Sequence, residues 1–400
     1  MQSSWSDDEL AGVGRCTPHQ SQQSRQRSGA ALPKRGWVGN RSTVLKAGPT
    51  TIAVAGLITA STLLLAAPWS PAAAMEISGA GATFPYPLYA KWADAYKKET
   101  GTTVNYYPIG SGGGIKQIQS DVVTFGASDM PLKLDLLNKD GLVQFPTVIG
   151  GVVPVVNVEG VRSGELKLDG ATLAKVFLGD IKSWNDPAIA KLNPDTKLPP
   201  LPIVVVRRLD GSGTTFLWTD YLSKASGEWK SKVGSNTSVE WPIGIRANGN
   251  DGIANSVQNT KGAIGYVEYA YAKQSKLATI SMINKDGKTV EPSAAAFQAA
   301  AVNAKWDKDD GFHVILTDES GAASWPITGA TFILVRKQPN DPVAAREALR
   351  FFVWAYSKGD KIAEDLDYVP LPKSVVAEIE KVWATQIKDA SGKPIFVEAH

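Results

Sequence analysis

Residues 203-IVVVRRLDGSGTT-215 run a β-branched strand into two arginines, then into a loop of small polar residues that opens an aromatic segment with helical spacing. In extended chain Arg208 and Asp210 stand two apart, so their side chains leave the same face. The carboxylate can then hold the guanidinium fork while the remaining donors turn to an anion. Arg207 faces oppositely and reads as structural. Ser212, Gly213 and Thr214 follow with backbone N–H groups at a helix start, and Ser212 and Thr214 add hydroxyls. The positive end of the helix dipole makes this a place for negative charge. An ordinary helix cap on a surface turn has the same composition, so this loop alone does not decide the matter.

Two further loops, 79-GAGATFP-85 and 110-GSGGG-114, carry the same kind of residue. Neither is a Walker loop, because no Gly-Lys-Ser/Thr follows, and neither is a GxGxxG dinucleotide fingerprint. Thr83, Phe84 and Ser111 add N–H and hydroxyl donors to the same cleft, and the Phe84 ring walls it. Asp129, closing 124-TFGASD-129, has the opposite character. A carboxylate accepts hydrogen bonds and repels a bare anion, so beside such a ligand it is tolerated only if the ligand brings a proton. Phosphate at neutral pH carries one or two protons, and sulfate none. The plain alternative is a solvated loop aspartate.

Catalytic constellations are missing. Beyond residue 74 the chain has the histidines His313 and His400, neither in a motif, and no cysteine. No HExxH, no clustered Asp/His spacing and no G-x-S-x-G accompany the loops, so no catalytic residue, metal or cofactor is expected.

The loops must be positioned by elements. Each follows a strand, and strands alternate with helical patterns, which implies a mostly parallel sheet with its ligand at the carboxyl ends of the strands. The apolar segments 143–160 and 325–337 read as crossings. They assign residues 75–150 and 326–400 to one lobe and 151–325 to a second, with a hinge and a ligand cleft between them. Residues 262–273 read as a strand pair, and 342–366 as one amphipathic helix with Phe351, Phe352 and Trp354 in the core. Near the start, Pro85 suits the first turn of a helix on which Tyr86, Tyr89, Trp92 and Tyr96 share a face.

The N-terminal segment belongs to none of this. Residues 51-TIAVAGLITASTLLLAA-67 are charge-free, with Lys34, Arg35, Arg41 and Lys46 before them and 68-PWSPAAAM-75 after. A basic flank, a short apolar core and an Ala72-x-Ala74 end describe a secretory signal (residues 1–74) cleaved after Ala74, which sends the chain to the periplasm. The alternative is a membrane anchor, but the run is short of the roughly 20 residues that span a bilayer. Residues 1–43 are long for such a signal, and their Ser/Gln/Arg-rich composition suggests no fold. Cys16 precedes the apolar run and cannot be a lipid-attachment site. Residues 1–74 hold seven Lys/Arg and three Asp/Glu, so the remainder has 35 basic and 36 acidic residues and a formal charge of −1. The basic balance of the whole chain is a property of the signal, and nucleic-acid binding loses its main support.

In its ordered motifs the chain resembles the periplasmic phosphate-binding proteins of ABC-type phosphate uptake systems. The resemblance runs through 79-GAGATFP-85, 126-GASDMPL-132, 145-FPTVIGGVV-153, 207-RRLDGSGT-214, 262-GAIGYVEYAYAK-273, 366-LDYVPLP-372 and 390-ASGKP-394. It implies an α/β fold, the two-lobed periplasmic binding protein of type II, each lobe a mixed sheet flanked by helices. It implies phosphate contacts at Thr83, Phe84, Ser111, Asp129, Arg208, Ser212, Gly213 and Thr214, with Asp210 orienting Arg208. A monomer that delivers inorganic phosphate to a membrane ABC permease follows from the same resemblance. One departure is Gly112, where the family pattern usually has a second Ser. A secreted phosphomonoesterase, or a receptor for another oxyanion, is the alternative.

Overall fold

The computed structural model describes residues 75–302 and 304–396. The expectations for the signal segment, Cys16, the cleavage after Ala74 and His400 lie outside the described residues. Twelve strands are described: β1 (Glu76–Gly81), β2 (Thr103–Tyr107), β3 (Phe125–Ser128), β4 (Leu142–Val156), β5 (Lys167–Asp169), β6 (Val204–Arg208), β7 (Ile245–Ala247), β8 (Ala263–Glu268), β9 (Ala278–Thr279), β10 (Ser281–Ile283), β11 (Thr289–Val290) and β12 (Thr328–Arg336). Nine of them form one sheet in the order β2-β1-β3-β12-β4-β8-β6-β7, with β9 on β4; β11-β10-β5 form a small second sheet.

β4 joins the two halves of the large sheet. All 15 of its residues are buried and none is charged, as suits a strand covered on both faces. Its stretch up to Gly151 pairs antiparallel with β12, and Val152–Val156 pairs antiparallel with β8. At the handover a Cβ on Gly150 would come within 2.9 Å of the Phe84 ring, and one on Gly151 within 2.1 Å of the Phe297 ring. Glycine is required there because two aromatic rings lie directly on the backbone. The second crossing segment forms β12, with a register shift between Thr331 and Phe332. Parallel pairing holds for β1 with β2 and β3, and for β6 with β7 and β8. Because β4 and β12 run against their neighbours, the sheet is mixed rather than mostly parallel.

The helix Tyr86–Thr100 buries Tyr89, Trp92 and Tyr96. Tyr86 is 39% exposed at the end of the stripe, where it stacks on Tyr106. Pro85 caps this helix and Pro87 lies in its first turn. Phe351 and Phe352 are fully buried and Trp354 nearly so, stacked edgewise on Phe125, Phe145 and Tyr96. Each such side chain contributes about 1.5–3 kcal/mol on burial, so this cluster anchors the first half of the sheet to its helices.

Two element assignments differ from the sequence reading. Residues 262–273 are not a strand pair: β8 ends at Glu268, whose carboxylate accepts from Ala270 N and starts the helix Tyr269–Gln274. The strand, buried along its whole length, ends where a buried side chain caps the next element. The stretch 342–366 is two helices, Pro342–Lys358 and Asp360–Asp365. Trp92 Nε1 donates to the Gly359 carbonyl over 3.0 Å, and a Cβ at Gly359 would lie 2.5 Å from that indole nitrogen. The packing partner sets the break.

Candidate functional site

The loops after β1, β2, β3 and β6 meet. Gly110 N donates to Gly81 O over 2.8 Å, and Gly112 N donates to Gly211 O over 2.9 Å. Ser111 Oγ accepts from Asp129 N over 3.1 Å and from Gly213 N over 3.0 Å. A Cβ on Gly213 would come within 2.4 Å of Ser111 Oγ and 2.6 Å of Asp129 Oδ2, so a side chain cannot enter and three loops share one spot.

The hydroxyls around this spot are oriented by what they accept. A hydroxyl has one hydrogen to give, and donors on its lone pairs aim that hydrogen elsewhere. Ser111 Oγ holds two backbone N–H groups. Thr83 Oγ1 accepts from Asn250 N over 3.3 Å and from Asn250 Nδ2 over 2.8 Å. Thr214 Oγ1 accepts from the same amide over 3.2 Å, and Ser212 Oγ accepts from Thr215 N over 3.0 Å as the cap of the helix Gly213–Ala225. Each keeps its own hydrogen for a partner in the cleft. Tyr271 Oη donates to Thr83 O over 2.7 Å. In a planar trans peptide the Phe84 N–H then points the other way. Phe84 itself is buried, its ring edge-on to Tyr368.

Arg208 is buried, with a side chain only 1% exposed. Its Nε donates to Asp210 Oδ1 over 2.8 Å and its Nη2 donates to Asp210 Oδ2, so the fork is held in a bidentate pair. Gly249 N donates to the same carboxylate. Burial pushes Asp210 upward, but the hydrogen bonds and charge of Arg208, with the Gly249 N–H, outweigh it and hold the carboxyl below its ordinary range. Arg208 Nη1 has no partner among the described residues. Arg207 turns away: a Cβ on Gly244 would meet its Cγ, and burial, aided by Arg246, lowers its pKa.

Asp129 is buried. Its Oδ1 accepts from Thr331 Oγ1 over 2.8 Å, and its Oδ2 has no partner among the described residues. Burial pushes the carboxyl up to about 7, against the opposing Thr331 hydroxyl and Arg208 charge. The arrangement is thus a ring of directed O–H and N–H donors and a guanidinium with one carboxyl oxygen among them, and it can hold a small oxyanion.

The structure brings Thr83, Ser111, Asp129, Ser212, Gly213 and Thr214 together and pairs Arg208 with Asp210. It differs in one respect: the N–H of Ser212 donates to Thr237 O and that of Gly213 to Ser111 Oγ. Ser212 therefore offers its hydroxyl, and Gly213 chiefly its lack of a side chain. Asn250, Thr331, Tyr271 and Glu268 were missed. Asn250 lies in 248-NGNDG-252, a fifth polar loop between a strand and the helix Gly249–Gln258, so the signal used elsewhere could have found it. Among the described residues, no group of three or more His, Cys, Asp or Glu could hold a metal ion, and no helix is long and apolar enough to cross a membrane.

A curled mixed sheet in two halves, with polar loops facing each other across it, defines an α/β binding protein of the two-lobed periplasmic type. The family profile described as the PBP superfamily domain matches residues 66–358. Solved structures of similar fold include a human phosphate binding apolipoprotein (TM-score 0.65, 21% identity, 80% of this chain and 98% of that one) and a DING protein (TM-score 0.64, 21% identity, 81% and 100%). In sequence the chain is 54% identical to the phosphate-binding protein PstS of Pasteurella multocida over 81% of this chain and 94% of that protein. It is 50% identical to the protein of the same name from Xylella fastidiosa strain 9a5c, over 78% and 86%. The chain belongs to the PstS family of phosphate-binding proteins, the substrate-binding components of ABC transporters.

Proposed function

We propose that this protein binds inorganic phosphate in the periplasm and delivers it to a membrane ABC permease for import, by non-covalent capture. The observation that carries the reading is Asp129 Oδ2, a buried unpartnered oxygen set among hydroxyls whose lone pairs are already taken. Every other group there donates, so a ligand that satisfies the whole set must itself bring or share a proton. Phosphate does so at neutral pH. The names of the 54% and 50% identical relatives support the same ligand. Several charge-assisted hydrogen bonds at about 1.5–3 kcal/mol each are sufficient for micromolar or tighter binding after desolvation.

The ligand-contact set is Thr83, Phe84, Ser111, Asp129, Arg208, Ser212 and Thr214, with Gly213 leaving the space and Asp210 and Asn250 orienting. The working unit is a monomer with lobes 75–150 plus 326–400 and 151–325, secreted by a signal cleaved after Ala74. Calorimetric titration of the purified protein with phosphate and with sulfate tests the function. At pH 8, where Asp129 is mostly ionised, tight phosphate binding with sulfate weaker by about tenfold or more is expected; equal affinities there, or no heat with phosphate, would overturn the reading. Intact mass of the exported protein tests the cleavage.

A further inference from the structure

Behind the Thr83–Phe84 turn, three oxygens stand in a row. Tyr368 Oη lies 2.7 Å from the Phe84 carbonyl oxygen and 2.8 Å from Glu268 Oε2. Both distances are those of hydrogen bonds, and each bond needs its own hydrogen. A carbonyl has none and a phenol has one. With an ionised Glu268, one contact would press two oxygens together with no hydrogen between them, in a place where all three residues are fully buried or nearly so. The missing hydrogen can sit only on Glu268 Oε2, where a lone pair still accepts from Ala270 N over 2.9 Å.

We infer that Glu268 is a neutral carboxylic acid in the closed protein, that it donates to Tyr368, and that Tyr368 in turn donates to the Phe84 carbonyl. Glu268 is thereby a positioning residue for the turn that presents Thr83 and Phe84 to the ligand. Tyr271 holds the Thr83 carbonyl and the Tyr368–Glu268 relay holds the next one, so both peptide planes of the turn are fixed from behind. Glu268 closes β8, whereas Phe84 and Tyr368 belong to segments flanking the other half of the sheet. The relay therefore links the two halves beside the handover on β4, where Glu268 pairs with Val152 and Val369 with Ile149.

The surroundings favour the neutral form. Glu268 Oε1 has no partner among the described residues, a costly state for a buried carboxylate. The groups facing Glu268 are the N–H groups of Tyr269 and Ala270, the phenols of Tyr368, Tyr271 and Tyr269, and the Asp129 carboxyl. Lys273, one turn along the helix, is tied to Asp367. Burial dominates and raises the Glu268 pKa well above the ordinary range; the N–H groups and Tyr368 oppose it and Asp129 adds to it. Opening the cleft would hydrate the carboxyl, so closure takes up a proton wherever the pH lies between the open and closed pKa values. Affinity then falls as pH rises through that window.

The inference rests on the phosphate reading only for the ligand used to close the cleft. Infrared spectra of the phosphate-saturated protein at neutral pH should contain the C=O stretch of a protonated buried carboxyl. The band should persist in Asp129→Asn, shift in Tyr368→Phe and vanish in Glu268→Gln. Its absence from the wild type, its survival in Glu268→Gln or its indifference to Tyr368→Phe would overturn the relay. Titration in two buffers of different ionisation enthalpy should count about one proton fewer taken up per phosphate bound by Glu268→Gln; equal counts would overturn the coupling to closure. Tyr368→Phe should weaken phosphate about tenfold by leaving the Phe84 carbonyl unpaired. A wild type that shows the band but binds no phosphate would defeat the phosphate reading and leave the relay standing.

Discussion

Asp129 is the residue on which selectivity turns, and its raised pKa adds a condition that the sequence did not contain. With its carboxyl pushed up to about 7, Asp129 is ionised above neutrality and repels an unprotonated anion, whereas below it the neutral acid can donate. Sulfate should therefore compete poorly against labelled phosphate at pH 8 and progressively better as the pH falls through 7. Asp129→Asn should keep most of the phosphate affinity, gain sulfate binding and lose this pH dependence. Sulfate competition as weak in the variant as in the wild type would return Asp129 to an ordinary buried carboxylate. The same shift bears on stability: a carboxyl whose folded pKa is raised stabilises fully below the unfolded pKa near 4, and its contribution is gone once the pH passes about 7. Arg208 and Arg207 make a second pair of opposites. Arg208→Ala removes a buried fork and strands Asp210, so phosphate affinity should fall about a hundredfold or more, on the order of 3 kcal/mol. Arg207→Ala, on the other face, should change it by less than about threefold. Equal losses in titrations at one ionic strength would mean that the two faces are misassigned.

At the scale of elements, legibility followed periodicity and local spacing. The β4 crossing could be read because a strand buried on both faces must be a continuous apolar run, and the Arg208–Asp210 pair because residues two apart in a strand share a face. What could not be read was set by distant partners. Gly359 breaks a helical pattern because Trp92 packs on it, and Glu268 converts an expected strand into a helix cap. Thr331 looks like any β-branched residue in an apolar strand until Asp129 is placed beside it. Asn250 was legible in kind, because a polar loop follows its strand, but that strand, β7, is only three residues long with two of them exposed, which makes the signal weaker there than at the other loops. The glycines separate two functions of these loops. A Cβ on Gly114 would lie 2.5 Å from Ala80 O and Gly81 Cα, backbone within the same half, so Gly114→Ala should lower the melting temperature with or without phosphate. A Cβ on Gly213 meets Ser111 and Asp129 across the cleft. Gly213→Ala should therefore melt like the wild type without phosphate and yet bind it at least a hundredfold more weakly. A lowered melting point of the ligand-free Gly213→Ala protein would show that the two loops are packed together at all times.

The two halves of the large sheet are held together by contacts between their facing loops as well as by β4 and β12. Gly112 N reaches Gly211 O, Asn250 reaches Thr83, Tyr271 reaches the Thr83 carbonyl, and Lys273 pairs with Asp367 at the rim. The exposed rim pair contributes little; the buried bonds converge on the same turns that face the ligand. Gly112 belongs to this seam: a Cβ there would stand 3.2 Å from Gly211 Cα, so a glycine lets the two loop backbones approach closely. A ligand that bridges the loops favours closure by its differential affinity for the closed form, and without it these few bonds must offset the hydration of a polar cleft. The ligand-free protein is therefore expected to populate an open form by bending at β4 and β12, and phosphate to shift it closed. Small-angle scattering of the secreted chain should give a radius of gyration near the roughly 20 Å of a compact chain of this size when phosphate is saturating, and a larger value without it. Gly213→Ala, whose added methyl group blocks the seam, should keep the larger value at phosphate concentrations that close the wild type. An unchanged radius in the wild type on adding phosphate would mean that the cleft is preformed, and that entry depends on loop motion alone.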